Sequence, residues 1–227
     1  MSDVRAFDAV LFDLDGTLVD TAPDLVAVLQ AILVDEGREP IDYPLARSHV
    51  SHGSIGLIRL GFPDISEAEF ERLRLEFLDR YQQAVCVHST LFPEMASLLD
   101  RLDEANLPWG VVTNKPERMT DPLMASLGML ERAACMISGD TLPQRKPDPA
   151  PLFLACDQTG IAADRSIYIG DAARDIEAGL AAGMHTVAVT YGYIPAEEDP
   201  HSWNAHQVVG DPKELTHLVL KGVNLDA

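Results

Sequence analysis

The sequence predicts an α/β protein, a doubly wound parallel sheet into which a small helical domain is inserted. Three observations carry this. From about residue 91 onward, helical segments alternate with short apolar strands. Residues 21–84 are helical in pattern and hold no convincing strand. The apolar run Ala9-Val10-Leu11-Phe12 reads as a buried strand and ends abruptly in Asp13-Leu14-Asp15-Gly16-Thr17.

The elements follow in order. Strand 9–12 comes first. Thr21 can cap a helix, with Pro23 and Asp24 in its first turn. Leu25, Val28, Leu29 and Ile32 then recur at helical spacing, and Gly37 ends the run. Ser66-Glu67-Ala68-Glu69 is a capping box, and Phe70, Leu73, Phe77, Tyr81 and Ala84 form one apolar stripe behind it. Between these helices lies the polar stretch Arg47-Ser48-His49-Val50-Ser51-His52-Gly53-Ser54, leading into an apolar segment over 55–60. Beyond it the chain reads helix 94–105, strand 109–113, helix 117–127, strand 135–138, helix 149–158, strand 166–170, helix 175–182 and strand 186–190. This βαβ rhythm argues for parallel strands with helices on both faces. Strand 9–12 joins the same sheet, so the helical segment is an insertion after it.

Composition narrows the class. The 227 residues suit one domain plus an insert, and 47% hydrophobic content suffices for a full core. A net charge of −19 argues against nucleic acid and anionic membrane surfaces as partners. No apolar run reaches the roughly 18 residues of a membrane span, and Met1-Ser2-Asp3-Val4-Arg5 does not read as a signal peptide. Cys86, Cys135 and Cys156 are odd in number, form no CxxC pair and read as small core residues. A cytoplasmic location is expected.

In such sheets, ligands bind beyond the carboxyl ends of the strands, and polar residues accumulate there. Asp13 and Asp15 end the first strand, pointing the same way if the chain stays extended. Two acids there suggest a cation site, a nucleophile with a proton donor, or both. Thr113-Asn114-Lys115 ends strand 109–113. Asp171 ends strand 166–170, and Asp175 follows one turn on. Lys146 precedes a helix that starts with proline. Four crowded acids repel unless a cation joins them, and Mg²⁺ prefers such donors. Lysine and threonine beside it suit a phosphoryl group.

Asp13-Leu14-Asp15-Gly16-Thr17-Leu18, Thr113-Asn114, Lys146-Pro147 and Gly170-Asp171-Ala172-Ala173-Arg174-Asp175 resemble, in order, the four motifs of the haloacid-dehalogenase-like (HAD) superfamily of phosphatases. The likeness spans almost the whole chain. It is nearest to bacterial phosphoglycolate phosphatases and the related N-acetylmuramic acid 6-phosphate phosphatases. Val111-Val112-Thr113-Asn114-Lys115-Pro116, Ser138-Gly139-Asp140-Thr141, 146–152 and Tyr191-Gly192-Tyr193-Ile194 carry it. The resemblance implies a Rossmann-like core over 1–18 and 88–227 and a helical cap over 19–87. It implies a Mg²⁺-dependent phosphomonoester hydrolase acting on a small phosphorylated metabolite, as a monomer or homodimer.

The resemblance further implies roles for the matching positions. Asp13 is the expected nucleophile, forming an aspartyl-phosphate, and Asp15 the expected acid and base. Lys146 neutralises nucleophile and phosphate, and Thr113 and the Asn114 backbone hold phosphoryl oxygens. Asp13, the Asp15 carbonyl and Asp171 share Mg²⁺, with Asp175 a further or outer ligand. Relatives often carry Ser or Asp where this chain has Ala172. Arg47, His49 and His52 are expected to face the leaving group from the cap. Phosphoglycolate is the first substrate expected and N-acetylmuramic acid 6-phosphate, or another sugar phosphate, the alternative. A phosphosugar mutase and a phospho-aspartate receiver module are the competing classes. Asp15 and the cap argue against the receiver.

Overall fold

A computed structural model describes residues 7–225, so the leading residues Met1–Arg5 lie outside the described part. Strand β1 (Ala9–Phe12) is buried along its whole length, as its unbroken apolar run requires. The chain then turns through Gly16 into β2 (Val19–Asp20) and enters the insert. The insert consists of helices α1 (Ala22–Asp35), α2 (Tyr43–Ser48), α3 (Gly53–Gly61) and α4 (Glu67–Gln83), with a 3₁₀ turn Val50–His52 between α2 and α3. It returns through β3 (Thr90–Leu91), which pairs antiparallel with β2. This short ribbon carries both chain crossings between the insert and the sheet.

The remaining elements alternate as anticipated: α5 (Met95–Glu104), β4 (Trp109–Val112), α6 (Glu117–Ser126), β5 (Cys135–Ile137), α7 (Ala150–Thr159), β6 (Ser166–Gly170), α8 (Ala173–Ala182) and β7 (His185–Val189). The sequence reading stopped there and missed β8 (Gln207–Val209) and α9 (Pro212–Gly222). The sheet is six-stranded with order β5-β4-β1-β6-β7-β8, and every pairing is parallel. β1 therefore lies between β4 and β6, where the winding reverses direction. That switch point leaves a crevice at the strands' carboxyl ends.

Local chemistry explains the insert. On α4, Ser66 Oγ accepts the Glu69 backbone N–H, and Phe70, Leu73, Phe77 and Tyr81 turn inward together. These residues join the main core cluster with Leu25, Leu29 and Ile32 of α1. Asp24 does more than start α1. Its buried carboxylate accepts N–H bonds from Val87 (3.0 Å), His88 (2.8 Å) and Ser89 (2.9 Å), and the Ser89 hydroxyl (2.6 Å). Such charge-assisted bonds pin the returning strand to the first helix.

Several expectations need correction. Thr21 makes no side-chain cap on α1. The polar stretch 47–54 forms the end of α2, the 3₁₀ turn and the start of α3. Cys135 is buried, whereas Cys86 and Cys156 are only half-buried. No described helix is long and apolar enough to cross a membrane.

Candidate active site

The sheet itself delivers the reactive groups. Asp13 follows β1 and is buried, with its N–H bonded to the Ile169 carbonyl of β6 at 2.8 Å. One carboxylate oxygen accepts a hydrogen bond from Lys146 Nζ at 2.8 Å. That ammonium also donates to the Val112 carbonyl and Tyr168 hydroxyl, each at 2.8 Å, and lies 2.8 Å from Asp175 Oδ1. A buried ammonium demands such a cage, because taking the ion out of water costs several kcal/mol. Asn114 holds the lysine's backbone from both sides. Its amide nitrogen donates to the Lys146 carbonyl (3.0 Å), and its Oδ1 accepts the Lys146 N–H (3.1 Å). The Asn114 side chain thus places Lys146, and Asn114 itself lines the crevice.

Asp13, Asp171 and Asp175 are all buried and can bring one oxygen each within 4.8 Å of one another. Burial and the charges of Asp13 and Asp175 push Asp171 up to about 8. Asp175 is raised as well, first by burial and then by Asp13. Asp171 Oδ2 accepts the Tyr193 N–H at 2.7 Å, but Asp171 Oδ1 is buried with no partner among the described residues. An orphaned carboxylate oxygen in an acidic cluster fits a hard cation such as Mg²⁺. Asp175 is more committed, since its Oδ2 accepts the Ala172 N–H at 3.0 Å. Ala172 contributes only backbone there, so its lack of a polar side chain leaves this bond intact.

Gly16 is required by space as well as conformation. Its φ is +84°, and a Cβ there would stand 2.1 Å from Asp171 Oδ2. Asp15 beside it is partly exposed, and its Oδ1 accepts from Thr21 Oγ1 (2.6 Å) and Lys115 Nζ (2.9 Å). Thr113 is buried on the opposite wall, its Oγ1 accepting the Lys115 N–H at 3.1 Å.

A crevice of about 450 Å³ opens above these residues. Asp13, Asp15, Thr113 and Asn114 line it from the sheet, and Ser51, His52 and Ser54 from the insert. The cap residues named from sequence separate here. His52 lines the crevice, with Nε2 3.8 Å from Glu198. His49 is turned onto the Leu45 carbonyl (3.0 Å) and Ser48 Oγ (3.2 Å) of its own helix. Arg47 donates to the carbonyls of Gly192 (2.9 Å) and Tyr191 (3.2 Å) and stacks 4.8 Å above the Tyr193 ring. Neither Arg47 nor His49 lines the crevice: the terminal nitrogens of Arg47 go to backbone carbonyls, and His49 Nδ1 is held by its own helix.

Sequence reasoning passed over four cations at this site, one of them Arg74 of α4, which pairs with Glu71 at 2.6 Å. Lys115, although quoted within its motif, was given no role. Arg145 and Arg174 both line the crevice, and Arg174 donates to Ser51 Oγ of the insert at 3.2 Å. The position of Arg174 beside two motif acids was a readable signal. That of Arg145 was not.

A buried acid at the end of β1, held by a caged lysine beneath a helical insert, is an arrangement suited to hydrolysis of phosphate esters on a doubly wound sheet. The chain belongs to the haloacid dehalogenase-like hydrolases, whose family profile matches residues 10–189. It is 48% identical over 212 residues to an N-acetylmuramic acid 6-phosphate phosphatase of Pseudomonas putida, covering 93% of this chain and 95% of that one. It is 44% identical over 207 residues to a phosphoglycolate phosphatase of Xanthomonas campestris, covering 91% and 94%. A crystal structure from Haemophilus somnus, described as a predicted phosphoglycolate phosphatase, superposes with a TM-score of 0.81 at 26% identity, covering 95% of this chain and 96% of that chain. The protein is a HAD phosphatase, a phosphoric monoester hydrolase.

Proposed function

We propose that the protein hydrolyses the phosphate ester of an acidic amino sugar, N-acetylmuramic acid 6-phosphate, through an aspartyl-phosphate on Asp13. One observation carries the chemistry: the buried Asp13 carboxylate is fixed by Lys146 at 2.8 Å and faces the crevice. Its free oxygen attacks phosphorus while the ester P–O bond breaks. Asp15 gives its proton to the departing oxygen, then takes one from the water that releases phosphate. Thr113 and the Asn114 backbone hold phosphoryl oxygens, and Lys146 balances their charge.

Asp13, Asp171 and the Asp15 carbonyl would hold Mg²⁺, with Asp175 behind them. The bound cation supplies positive charge to the phosphoryl oxygens in a crevice otherwise rich in acids. Residues 19–87 serve as the cap, closing the crevice against water during transfer.

The choice of substrate rests on size and likeness. A volume of about 450 Å³ is in the range that encloses ligands of sugar size, roughly 300–1,000 Å³. Glycolate would leave most of it to water. Ser51, His52 and Ser54 supply polar groups for a hydroxyl-rich ligand, and the P. putida relative acts on such a compound by name. 2-Phosphoglycolate is the second reading, favoured by the X. campestris relative. The test is kcat/KM for both esters side by side, read by phosphate release, with Asp13→Asn as control. A higher value for the amino-sugar ester supports the assignment, and a higher value for 2-phosphoglycolate reverses it. Little phosphate from any ester would indicate a mutase, and none a receiver.

A further inference from the structure

Lys115 has no part in the reaction as drawn, yet the structure spends a buried ammonium on it. Its side chain is 6% exposed, and its backbone is fixed on two sides. Its N–H donates to Thr113 Oγ1 (3.1 Å), and its carbonyl accepts from the Gly139 N–H (2.8 Å) and Thr120 Oγ1 (3.2 Å). The ammonium reaches Asp15 Oδ1 at 2.9 Å and lies 4.4 Å from the centroid of the Tyr81 ring. Tyr81 belongs to α4 of the insert, is fully buried and, like Lys115, lines the crevice. Burying a lysine is costly unless an anion or an aromatic face compensates, and here both do.

We propose that Lys115 is the positioning residue for proton transfer at Asp15. All hydrogen bonds to the Asp15 side chain among the described residues go to Oδ1. That occupies Oδ1 and leaves Oδ2 without a protein partner, on a residue that lines the crevice where an ester oxygen departs. As the P–O bond breaks, the Asp15 proton passes to the leaving oxygen. Asp15 keeps the electron pair, and its new negative charge lies beside the ammonium. In the second half, the carboxylate recovers a proton from the attacking water as the Asp13–phosphorus bond breaks, so protons balance over the cycle. The Tyr81 ring comes from the cap, so the ammonium's cage is complete only when core and cap are together. The proposal rests on the assignment of Asp15 as acid and base.

The test compares kcat/KM on an alkyl phosphomonoester, whose leaving oxygen needs a proton, with p-nitrophenyl phosphate, whose leaving group does not. Asp15→Asn is measured beside Lys115→Met and Lys115→Gln. Both Lys115 variants should lose roughly 100-fold on the alkyl ester, within the range of general acid catalysis, and less than about 5-fold on p-nitrophenyl phosphate. Lys115→Gln, which keeps a donor at similar reach, should lose less than Lys115→Met and supplies the ratio if Lys115→Met does not fold. Equal losses on both esters, or none, would overturn the proposal, since a purely structural lysine would not sort leaving groups. If Asp15→Asn itself fails to sort them, the assignment of Asp15 falls instead.

Discussion

Binding of Mg²⁺ should expel a proton from the metal-free protein, and the pH dependence can be worked out. Asp171 is pushed up to about 8 by burial and by Asp13 and Asp175. At pH 7 roughly nine in ten molecules therefore carry a proton on Asp171 that a bound cation must displace. The Mg²⁺ affinity should rise about 9-fold from pH 6 to pH 7 and about 5-fold from pH 7 to pH 8, then flatten by pH 9. The stability of the metal-free protein has the opposite sign. The folded carboxyl holds its proton more tightly than the unfolded one, whose ordinary value is 3.8. This contribution is therefore most favourable below about pH 4 and declines as pH rises to 8, by on the order of 5 kcal/mol. Isothermal titration calorimetry with Mg²⁺ alone, in two buffers of different ionisation enthalpy, counts the protons released. Values near one at pH 7 and near zero at pH 9 are expected. A dissociation constant unchanged between pH 6 and pH 8, with no proton released, would refute the reasoning.

Three further outcomes are expected. Asp13→Asn should form neither phosphoenzyme nor phosphate, whereas Asp15→Asn should accumulate phosphoenzyme from p-nitrophenyl phosphate; rapid-quench mass spectrometry reads both. Gly16→Ala should lower kcat by roughly 100-fold and weaken Mg²⁺, because its Cβ would displace Asp171 Oδ2 from 2.1 Å away; calorimetry and steady-state rates on folded protein check this. His52→Ala should change the ratio of kcat/KM between N-acetylmuramic acid 6-phosphate and 2-phosphoglycolate by about tenfold, while His49→Ala should leave it unchanged, since only His52 lines the crevice.

Where the sequence was legible, local patterns and tertiary structure agreed. β1 is a continuous apolar run and β6 nearly so, both are buried along their length, and each is followed by an acid that marks the sheet's carboxyl edge. The acids, Thr113 and Lys146 could be assigned to one crevice from the rule that ligands of such sheets bind beyond the strands' carboxyl ends. Short elements were not legible. β2 and β3 have two residues each, too few for any period, and exist because the insert needs a paired crossing. β8 has three residues, one fully exposed, so no alternation announces it. Thr21 sits where a cap is expected, but tertiary structure gave its hydroxyl to Asp15 instead. Lys115 looked like any lysine in a polar turn, and only the approach of Tyr81 from 34 residues upstream encloses it.

Arg47 shows why a polar stretch of the cap cannot be assigned wholesale to substrate. A guanidinium is satisfied by planar, closely spaced acceptors, and the adjacent carbonyls of Tyr191 and Gly192 supply them. The Tyr193 ring fills its face. That same tyrosine donates its N–H to Asp171 at 2.7 Å and its hydroxyl to Asp20 at 2.7 Å, and accepts the Ala22 N–H at 2.9 Å. Tyr191 donates its hydroxyl to the Thr17 carbonyl at 2.9 Å. Residues 191–193 thus touch α2 of the insert, the ribbon crossing and an acid of the cation cluster. Gly192 is needed there, since a Cβ would stand 2.4 Å from Asp171 Oδ2. The arginine's contacts accordingly fix the insert against the segment that orients Asp171. We propose that discrimination between substrates falls to the residues one turn later, of which Ser51, His52 and Ser54 line the crevice.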